Sequence, residues 1–255
     1  MFLIRFFTVL LALLLACSAQ ISAAGELYLL AGAGLRQPTD QLIISFQKQT
    51  GHRVFVDYGG SGTLLARIIA SGQGDLYMPG AFYYIRVLEE KGRLHSFRKI
   101  VAHTPVIGVN CHKTDLIQSF EDLTRPGVRL ALGDPKAMAF GRLAMDILES
   151  SKMKKAILEN VVVYGATVKQ LALYVVQGDV DASIIGRSDA VQYKDKIQIV
   201  PIPPAYFHAE TIAIALLKDA AKRPEAGQLL DFMSSEKAIR VFQSFGFLPL
   251  TGSER

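Results

Sequence analysis

The sequence predicts an α/β fold with a mostly parallel sheet. Short segments of β-branched and aromatic residues alternate with amphipathic segments along the chain, as in strands joined by crossover helices. Half of the 255 residues are apolar, so the chain can bury a sizeable core. In such folds ligands bind beyond the carboxyl ends of the strands, at helix N-termini. Small residues mark several of these turns, namely Gly32/Gly34, Gly59–Gly62, Ala137/Ala139, Gly165/Ala166 and Gly186.

The first residues have the order of a secretory signal, to which we assign residues 1–24. Arg5 precedes a short apolar run over residues 6–16, which is too short to span a bilayer comfortably. Cleavage after Ala24 would follow small residues, whereas a lipobox-like sequence before Cys17 would leave that cysteine lipidated at the new N-terminus. Both routes remain open, and either one places the mature protein outside the cytoplasm, in a bacterial periplasm or on the outer surface.

The predicted elements follow one another in a regular order. Strands are expected over residues 26–30, 75–79, 106–110, 128–132, 161–164, 182–185, 197–202 and 211–217, with another beginning at residue 54. Helices are expected over residues 35–49, 81–91, 119–123 and 224–245, and others end near residues 72, 150, 160 and 177. Pro38 suits the first turn of the first helix, and Gly51 suits its end.

Cysteine content and charge argue against several classes of protein. Cys111 has no partner once Cys17 is removed or lipidated, so we expect no disulfide framework. Cys111 and His112 would point to opposite faces of a strand, which argues against a metal site there. The formal net charge of +5 comes from basic residues scattered along the chain, which does not favour a nucleic-acid surface.

The stretch from Val54 to Ile69 carries the clearest functional signal. A buried strand leads through Gly59-Gly-Ser-Gly-Thr63 into a helix whose apolar residues share one face. The glycines allow the backbone to approach a ligand closely, and the helix directs its unpaired N–H groups and positive dipole end at the turn. Because Ser61 adds a hydroxyl donor, this turn predicts an anion pocket.

The same turn partly matches two other motifs, a P-loop and a nucleophile elbow. A P-loop requires a lysine after its last glycine, and none follows here. A nucleophile elbow, Gly-x-Ser-x-Gly, fits until Thr63. Ser61 would then be the nucleophile of a secreted serine hydrolase, with Asp179 or Asp181 and His208 completing the chain order of a triad. This hydrolase remains an alternative at this point.

Six sequence blocks are notable together, namely Tyr58–Leu64, Gly74–Tyr77, Glu90–Gly92, Leu130–Pro135, Ile184–Ala190 and Phe245–Phe247. In combination they resemble the molybdate/tungstate-binding proteins of ABC importers. The resemblance extends from about Glu26 to Pro249, and the combined pattern is specific although no single block is.

The resemblance implies a two-lobed periplasmic-binding-protein fold (type II) with a hinged ligand cleft. Residues 25–105 would form lobe 1, residues 106–205 lobe 2, and residues 206–255 would return to the hinge and lobe 1. Strands near 104–110 and 205–217 would carry the chain between the lobes.

The resemblance also implies a set of ligand-binding residues. Proteins of this family hold a bare tetrahedral oxyanion with uncharged donors. Carried over by position, Ser61 supplies a hydroxyl group, and Phe140 and Val168 supply backbone N–H groups. Gly62, which follows Ser61, is also among the predicted ligand-binding residues. Gly34 stands where the family has a serine, so it retains only its N–H. Gly34, Ser61, Phe140 and Val168 would contact an oxyanion of molybdenum or tungsten, without any direct metal ligand.

Two departures from the family pattern affect the expected ligand. Gly34 lacks the serine hydroxyl, and Gly186 stands where the family has a tyrosine hydroxyl. Arg36 and Arg187 lie beside these two gaps, and either could supply charged hydrogen bonds; we place Arg187 among the predicted ligand-binding residues. The alternative is that both arginines lie on the solvated surface.

We therefore predict the solute-binding component of an ABC importer rather than an enzyme. It would capture molybdate or tungstate in the interlobe cleft and deliver it to a permease in the inner membrane, as a monomer without a cofactor or nucleic acid. Another small anion is the first alternative, and the Ser61 hydrolase is the second. A sensor that binds the ligand without transport would have the same sequence features.

Overall fold

The computed structural model describes residues 25–250, which form two five-stranded sheets. The secretory signal expected over residues 1–24, including Cys17, lies outside this range. The strands are β1 (Glu26–Gly32), β2 (Arg53–Gly59), β3 (Leu76–Met78), β4 (Leu94–His103), β5 (Pro105–Asn110), β6 (Leu130–Gly133), β7 (Val161–Gly165), β8 (Ala182–Gly186), β9 (Ile197–Val200) and β10 (Glu210–Leu217).

Helices cover both sheets. The α-helices are α1 (Arg36–Thr50), α2 (Ser61–Ser71), α3 (Tyr83–Glu90), α4 (Ala139–Ser151), α5 (Lys154–Glu159), α6 (Val168–Gln177), α7 (Arg187–Gln192), α8 (Pro224–Met233) and α9 (Glu236–Ser244). Short 3₁₀ helices lie at Ala33–Leu35, Glu121–Thr124, Pro204–Tyr206 and Lys218–Ala220. No helix within residues 25–250 is both long and apolar enough to cross a membrane.

Each sheet combines a parallel part with antiparallel strands. The first has the order β2-β1-β3-β10-β4, in which β1 is parallel to β2 and β3 while β10 is antiparallel to β3 and β4. The second has the order β7-β6-β8-β5-β9, in which β6 is parallel to β7 and β8 while β5 is antiparallel to β8 and β9. The α/β class is confirmed, but the sheets are mixed rather than mostly parallel, because β10 in the first sheet and β5 in the second are antiparallel to both of their neighbours.

We call the part built on the first sheet lobe 1 and the part built on the second sheet lobe 2. The chain leaves lobe 1 after β4, crosses at Thr104 into β5, and returns between β9 and β10. Alternate side chains of β1 enter different cores on the two faces of the first sheet: Leu27 and Leu29 pack on one face, and Leu30 on the other. Because these side chains are almost fully buried, lobe 1 packs on both faces of its sheet.

Several helix boundaries follow from local chemistry. Helix α1 ends at Gly51, whose φ of 76° lies in the left-handed region, so the expected glycine stop is confirmed. Helix α2 buries Leu64, Leu65 and Ile68 on one face and ends at Gly72 in the same way. The closing segment is two helices, because Ser235 interrupts it and its hydroxyl accepts the N–H of Ala238 at 3.2 Å.

One element differs from the sequence expectation. No strand was predicted between the helix expected over residues 81–91 and Thr104, yet β4 spans Leu94–His103. Its first half is largely solvent-accessible and mixed in polarity, as is usual at the edge of a sheet, and only residues 100–103 are buried. The turn after β8, which was expected to lead into a helix, begins the short helix α7.

Candidate functional site

A small cavity of about 30 Å³ lies between the two lobes. Its walls are the carboxyl ends of strands, the helix starts that follow them, and one side chain from the lobe crossing. The lining residues are Gly32–Leu35, Gly59–Ser61 and Gly80 from lobe 1, Met138–Phe140 and Thr167–Val168 from lobe 2, and His103 from the end of β4.

Helix starts from both lobes face this cavity. The 3₁₀ helix at Ala33–Leu35 and helix α2 come from lobe 1, whereas α4 and α6 come from lobe 2. The first N–H groups of a helix have no intrahelical acceptor, and the helix dipole makes that end positive. The cavity is therefore polarised for an anion, although no arginine or lysine side chain of the described residues lines it.

Ser61, the first residue of α2, adds a hydroxyl donor. The side chain is only 3% exposed, and its Oγ accepts the N–H of Gly80 at 2.9 Å. The backbone carbonyl of Ser61 accepts the hydroxyl of Tyr77 at 2.6 Å, which fixes the start of the helix. Because the hydroxyl oxygen already accepts a bond from Gly80, its hydrogen is free to be donated to a ligand in the cavity.

Glycines of the same turn allow the lobes to touch. A Cβ at Gly60 would lie 2.4 Å from the carbonyl oxygen of Ala137, and one at Gly62 would lie 2.3 Å from that of Lys136. The N–H of Gly62 donates to the Ala137 carbonyl at 3.0 Å. Gly62, which we expected to bind the ligand, therefore contacts the opposite lobe and does not line the cavity.

Arg142 of α4 makes a second contact between the lobes. Its guanidinium group lies 4.1 Å from the ring centre of Tyr83 in lobe 1 and 3.5 Å from the carboxylate of Glu210 at the start of β10. Burial raises the pKa of Glu210 to about 7, and nearby Asp146 adds to the rise while Arg142 opposes it. Together with Gly62, this contact indicates that the structure is the closed arrangement of the lobes.

The other expected residues divide into two groups. Gly34, Ser61, Phe140 and Val168, which were chosen by position, all line the cavity. The two arginines do not, and each side chain has another contact. The guanidinium of Arg36 lies 4.0 Å from the ring centre of Tyr58 on the surface, and that of Arg187 is 3.4 Å from the Gly246 carbonyl. The gaps at Gly34 and Gly186 are thus not filled by arginine in this arrangement.

His103, which was not among the site residues predicted from the sequence, also lines the cavity. Its ring is 2% exposed and lies between Phe140 and Phe247, with ring centres 4.5 and 4.7 Å away. Its Nε2 is 3.0 Å from the Oγ of Ser188. Burial, assisted by the positive charge of Lys169, lowers the pKa of His103 to about 3, so the imidazole is neutral near pH 7.

A buried ion pair lies behind His103. Asp189 is fully buried, and its carboxylate is 2.8 Å from the Nζ of Lys169. Lys169 also donates to the Oε1 of Gln192 at 2.7 Å. Burial raises the pKa of Asp189, whereas Lys169 lowers it.

The structure does not assemble the hydrolase triad. The Asp181 carboxylate accepts the N–H of Arg129 at 2.8 Å and pairs with Lys113 at 3.6 Å, while Asp179 and His208 are exposed. Within residues 25–250 no group of three or more His, Cys, Asp or Glu side chains could hold a metal ion, and Cys111 is a free thiol.

A two-lobed α/β fold with its ligand cavity between the lobes defines a type II periplasmic binding protein. The chain belongs to the bacterial extracellular solute-binding protein family, whose model matches residues 27–248. Since this is a family of solute-binding proteins, the chain is not an enzyme, and the predicted class is confirmed. Membership also indicates a location outside the cytoplasm.

Similar proteins agree with this assignment. A Haemophilus influenzae protein, named as a binding protein without a stated ligand, is 40% identical over 226 residues, which cover 89% of this chain and 92% of that protein. The Azotobacter vinelandii periplasmic molybdate-binding protein has a TM-score of 0.76 at 21% identity, covering 88% of this chain and 100% of that one. The Mycobacterium tuberculosis sulfate-binding protein SubI has a TM-score of 0.79 at 18% identity, covering 90% and 88%. At these identities the two structures establish the fold.

The Glu210→Gln substitution is expected to remove one pH-dependent contribution to stability. Between about pH 4.5 and 7 the folded protein holds a proton on Glu210 that the unfolded chain has released. As the pH rises through this window, this group therefore lowers the free energy of unfolding by about 1–3 kcal/mol. Urea unfolding at pH 4 and pH 8 should show Glu210→Gln close to the wild type at pH 4 and more stable than the wild type at pH 8.

The matched control is Glu236→Gln, at a carboxylate that is 89% exposed and lies far from the hinge in sequence. It should follow the wild-type pH dependence. A wild-type protein more stable than Glu210→Gln at pH 8 would mean that the ion pair with Arg142 outweighs the burial of the carboxylate.

Proposed function

We propose that this protein is the extracytoplasmic solute-binding component of an ABC importer and captures a tetrahedral oxyanion. The observation that carries the proposal is the convergence of helix starts from both lobes on one small cavity, which no lysine or arginine of the described part of the chain lines. Such N–H groups can replace the hydration shell of an anion, and the helix dipoles favour its negative charge. The ligand is delivered to a permease in the inner membrane, and the protein acts as a monomer.

Molybdate or tungstate is the first candidate ligand. The donors are the N–H groups of Gly34, Phe140 and Val168 and the hydroxyl of Ser61. They contact oxygens of the anion, so molybdenum or tungsten is carried as cargo without a direct protein ligand. The molybdate-binding protein of Azotobacter vinelandii supports this choice by its fold. The sulfate-binding protein SubI makes the smaller sulfate ion the second candidate.

Ligand capture is coupled to closure of the lobes. Gly34 and Ser61 belong to lobe 1, whereas Phe140 and Val168 belong to lobe 2, so one anion can satisfy donors of both lobes only when they are together. The contacts of Gly62 and Arg142 across the cleft add to this preference. A ligand shifts the equilibrium toward the closed state to the extent that it binds that state more tightly.

The Ser61→Ala substitution is expected to weaken oxyanion binding. Calorimetric titration of ligand-stripped mature protein with molybdate, tungstate, sulfate and phosphate should give tight binding of molybdate or tungstate. Loss of one hydrogen bond to a charged ligand should reduce this affinity about 10- to 100-fold. Ser71→Ala is the matched control, because that hydroxyl lies exposed at the other end of the same helix and bonds to the Arg67 carbonyl.

The control should bind as the wild type does. Lack of binding of all four ions by the wild-type protein would contradict an oxyanion ligand, and a screen of small organic anions would follow. Equal affinities of the wild type and Ser61→Ala would mean that the Ser61 hydroxyl does not bind the ligand, while the oxyanion function would still stand.

The Gly62→Ala substitution is expected to hold the lobes apart. The added Cβ would lie 2.3 Å from the Lys136 carbonyl oxygen in the closed arrangement, while alanine is a better helix former than glycine. Small-angle X-ray scattering with saturating tungstate should show a smaller radius of gyration for the wild type than for Gly62→Ala. Gly227→Ala, also in a helix but with no heavy atom within 4 Å of the new Cβ, should compact as the wild type does. Full compaction of Gly62→Ala would contradict the closure contact.

A further inference from the structure

His103 occupies the space that a side chain at position 186 would need. A Cβ at Gly186 would lie 2.1 Å from the Nε2 of His103 and 2.8 Å from its Cε1. Real Cβ atoms do not approach other heavy atoms this closely, so the imidazole and a larger residue at 186 exclude each other. The imidazole reaches this place from the last position of β4, in the first sheet, whereas Gly186 ends β8 in the second.

The imidazole also lies beside the predicted ligand donors. It lines the same cavity as Gly34 and Phe140, and its Cε1 is 3.7 Å from the place where a Cβ of Gly34 would stand. Both ring nitrogens are bonded to Cε1, and Nε2 is already 3.0 Å from the Ser188 hydroxyl, so Nδ1 is the nitrogen left for a ligand. His103 is only 2% exposed, and its Nδ1 has no hydrogen-bond partner within residues 25–250. A buried polar nitrogen without a partner is costly and points to a ligand that satisfies it.

The hydrogen bond to Ser188 decides which proton that nitrogen carries. If the Ser188 hydroxyl donates to Nε2, the proton of the neutral ring is on Nδ1, and Nδ1–H requires an acceptor. If Nε2–H donates to Ser188, Nδ1 presents a bare lone pair. A fully deprotonated oxyanion offers only acceptors, so it can bind the first tautomer and is repelled by the second.

We propose that His103 is a ligand-contacting and specificity-determining residue, whose neutral imidazole donates Nδ1–H to the bound oxyanion while Ser188 fixes its tautomer. The proposal rests on the oxyanion function proposed above. His103 thus supplies from the lobe crossing the uncharged donor that is missing at Gly186, and Ser188 is a positioning residue.

Burial, assisted by the positive charge of Lys169, keeps the ring neutral. Lys169 and Asp189 form an ion pair beside it, and the burial of the ring together with Lys169 holds its pKa at about 3. The ring therefore adds a donor without a positive charge at neutral pH. With Nε2 bonded to Ser188, the imidazole offers the ligand a donor but no acceptor. Hydrogen phosphate carries a proton that needs an acceptor, so the ring favours molybdate, tungstate or sulfate over it.

Substitutions that move the donor test the proposal. His103→Asn can place its amide N–H near the position of Nδ1, His103→Gln places it near Nε2, and His103→Phe retains an aromatic ring between Phe140 and Phe247. We expect His103→Phe and His103→Gln to weaken molybdate or tungstate binding about 10-fold or more by calorimetry. His103→Asn should bind within about 3-fold of the wild type. His95→Phe, at an exposed histidine, is the matched control and should not change binding.

Nitrogen-15 NMR of the full mature protein provides a readout that a purely structural role would not give. Two-bond correlations identify which ring nitrogen carries the proton, and the His103 signals are those lost in His103→Phe. We expect a protonated Nδ1 at pH 7 in ligand-free protein and a shifted Nδ1–H signal after tungstate is added. A proton on Nε2 in the tungstate complex would overturn the proposal.

The outcomes separate this proposal from the proposed function. Wild-type binding that is unchanged in His103→Phe would overturn the role of His103 and leave the oxyanion function intact. Wild-type protein that binds none of the ions would overturn both. If His103→Phe failed to fold, the comparison of His103→Asn with His103→Gln and the NMR result would still decide.

Discussion

Buried N–H groups at the start of a helix need an acceptor that the helix itself cannot supply, and several such groups in this protein face one cavity. They come from both lobes, so one acceptor in the cavity can be shared by groups of both lobes only when the lobes are together. Among residues 25–250 no lysine or arginine lines the cavity, so the backbone is the main source of positive potential there. The solute-binding fold is in this sense a means of bringing helix starts from two sheets to the same place.

This constraint explains why small residues are concentrated at the lobe interface. Gly60 and Gly62 have no room for a Cβ because carbonyl oxygens of residues 136, 137 and 166 pack against them. Gly186 has no room because His103 fills its space. Gly60 and Gly62 thus allow contact between the lobes, whereas Gly186 allows the His103 side chain to approach. Of these, only Gly186 affects which donors can reach a ligand.

The sequence was sufficient to predict the α/β class and the strand–turn–helix at Ser61, because strand and helix periodicity and helix starts are local properties. Phe140 and Val168 were instead placed by the resemblance to a known family, and both line the cavity together with Ser61. It was not sufficient for β4, whose outer half has the mixed polarity of an edge strand. Arg187 was expected in the cleft because it follows Gly186, but its side chain extends to the Gly246 carbonyl. His103 was not recognised, since its place in the cavity depends on residues from both lobes and the C-terminal segment that are distant in sequence.

Whether the helix starts of both lobes form an oxyanion site can be tested by X-ray diffraction from crystals grown with tungstate, recorded at the tungsten absorption edge. We expect one strong anomalous peak between the two lobes, with oxygens within hydrogen-bond distance of the Ser61 hydroxyl and the N–H groups of Phe140 and Val168. A closed protein with no peak in this cavity, or with tungsten bound elsewhere on its surface only, would contradict the claim that these helix starts form an oxyanion site.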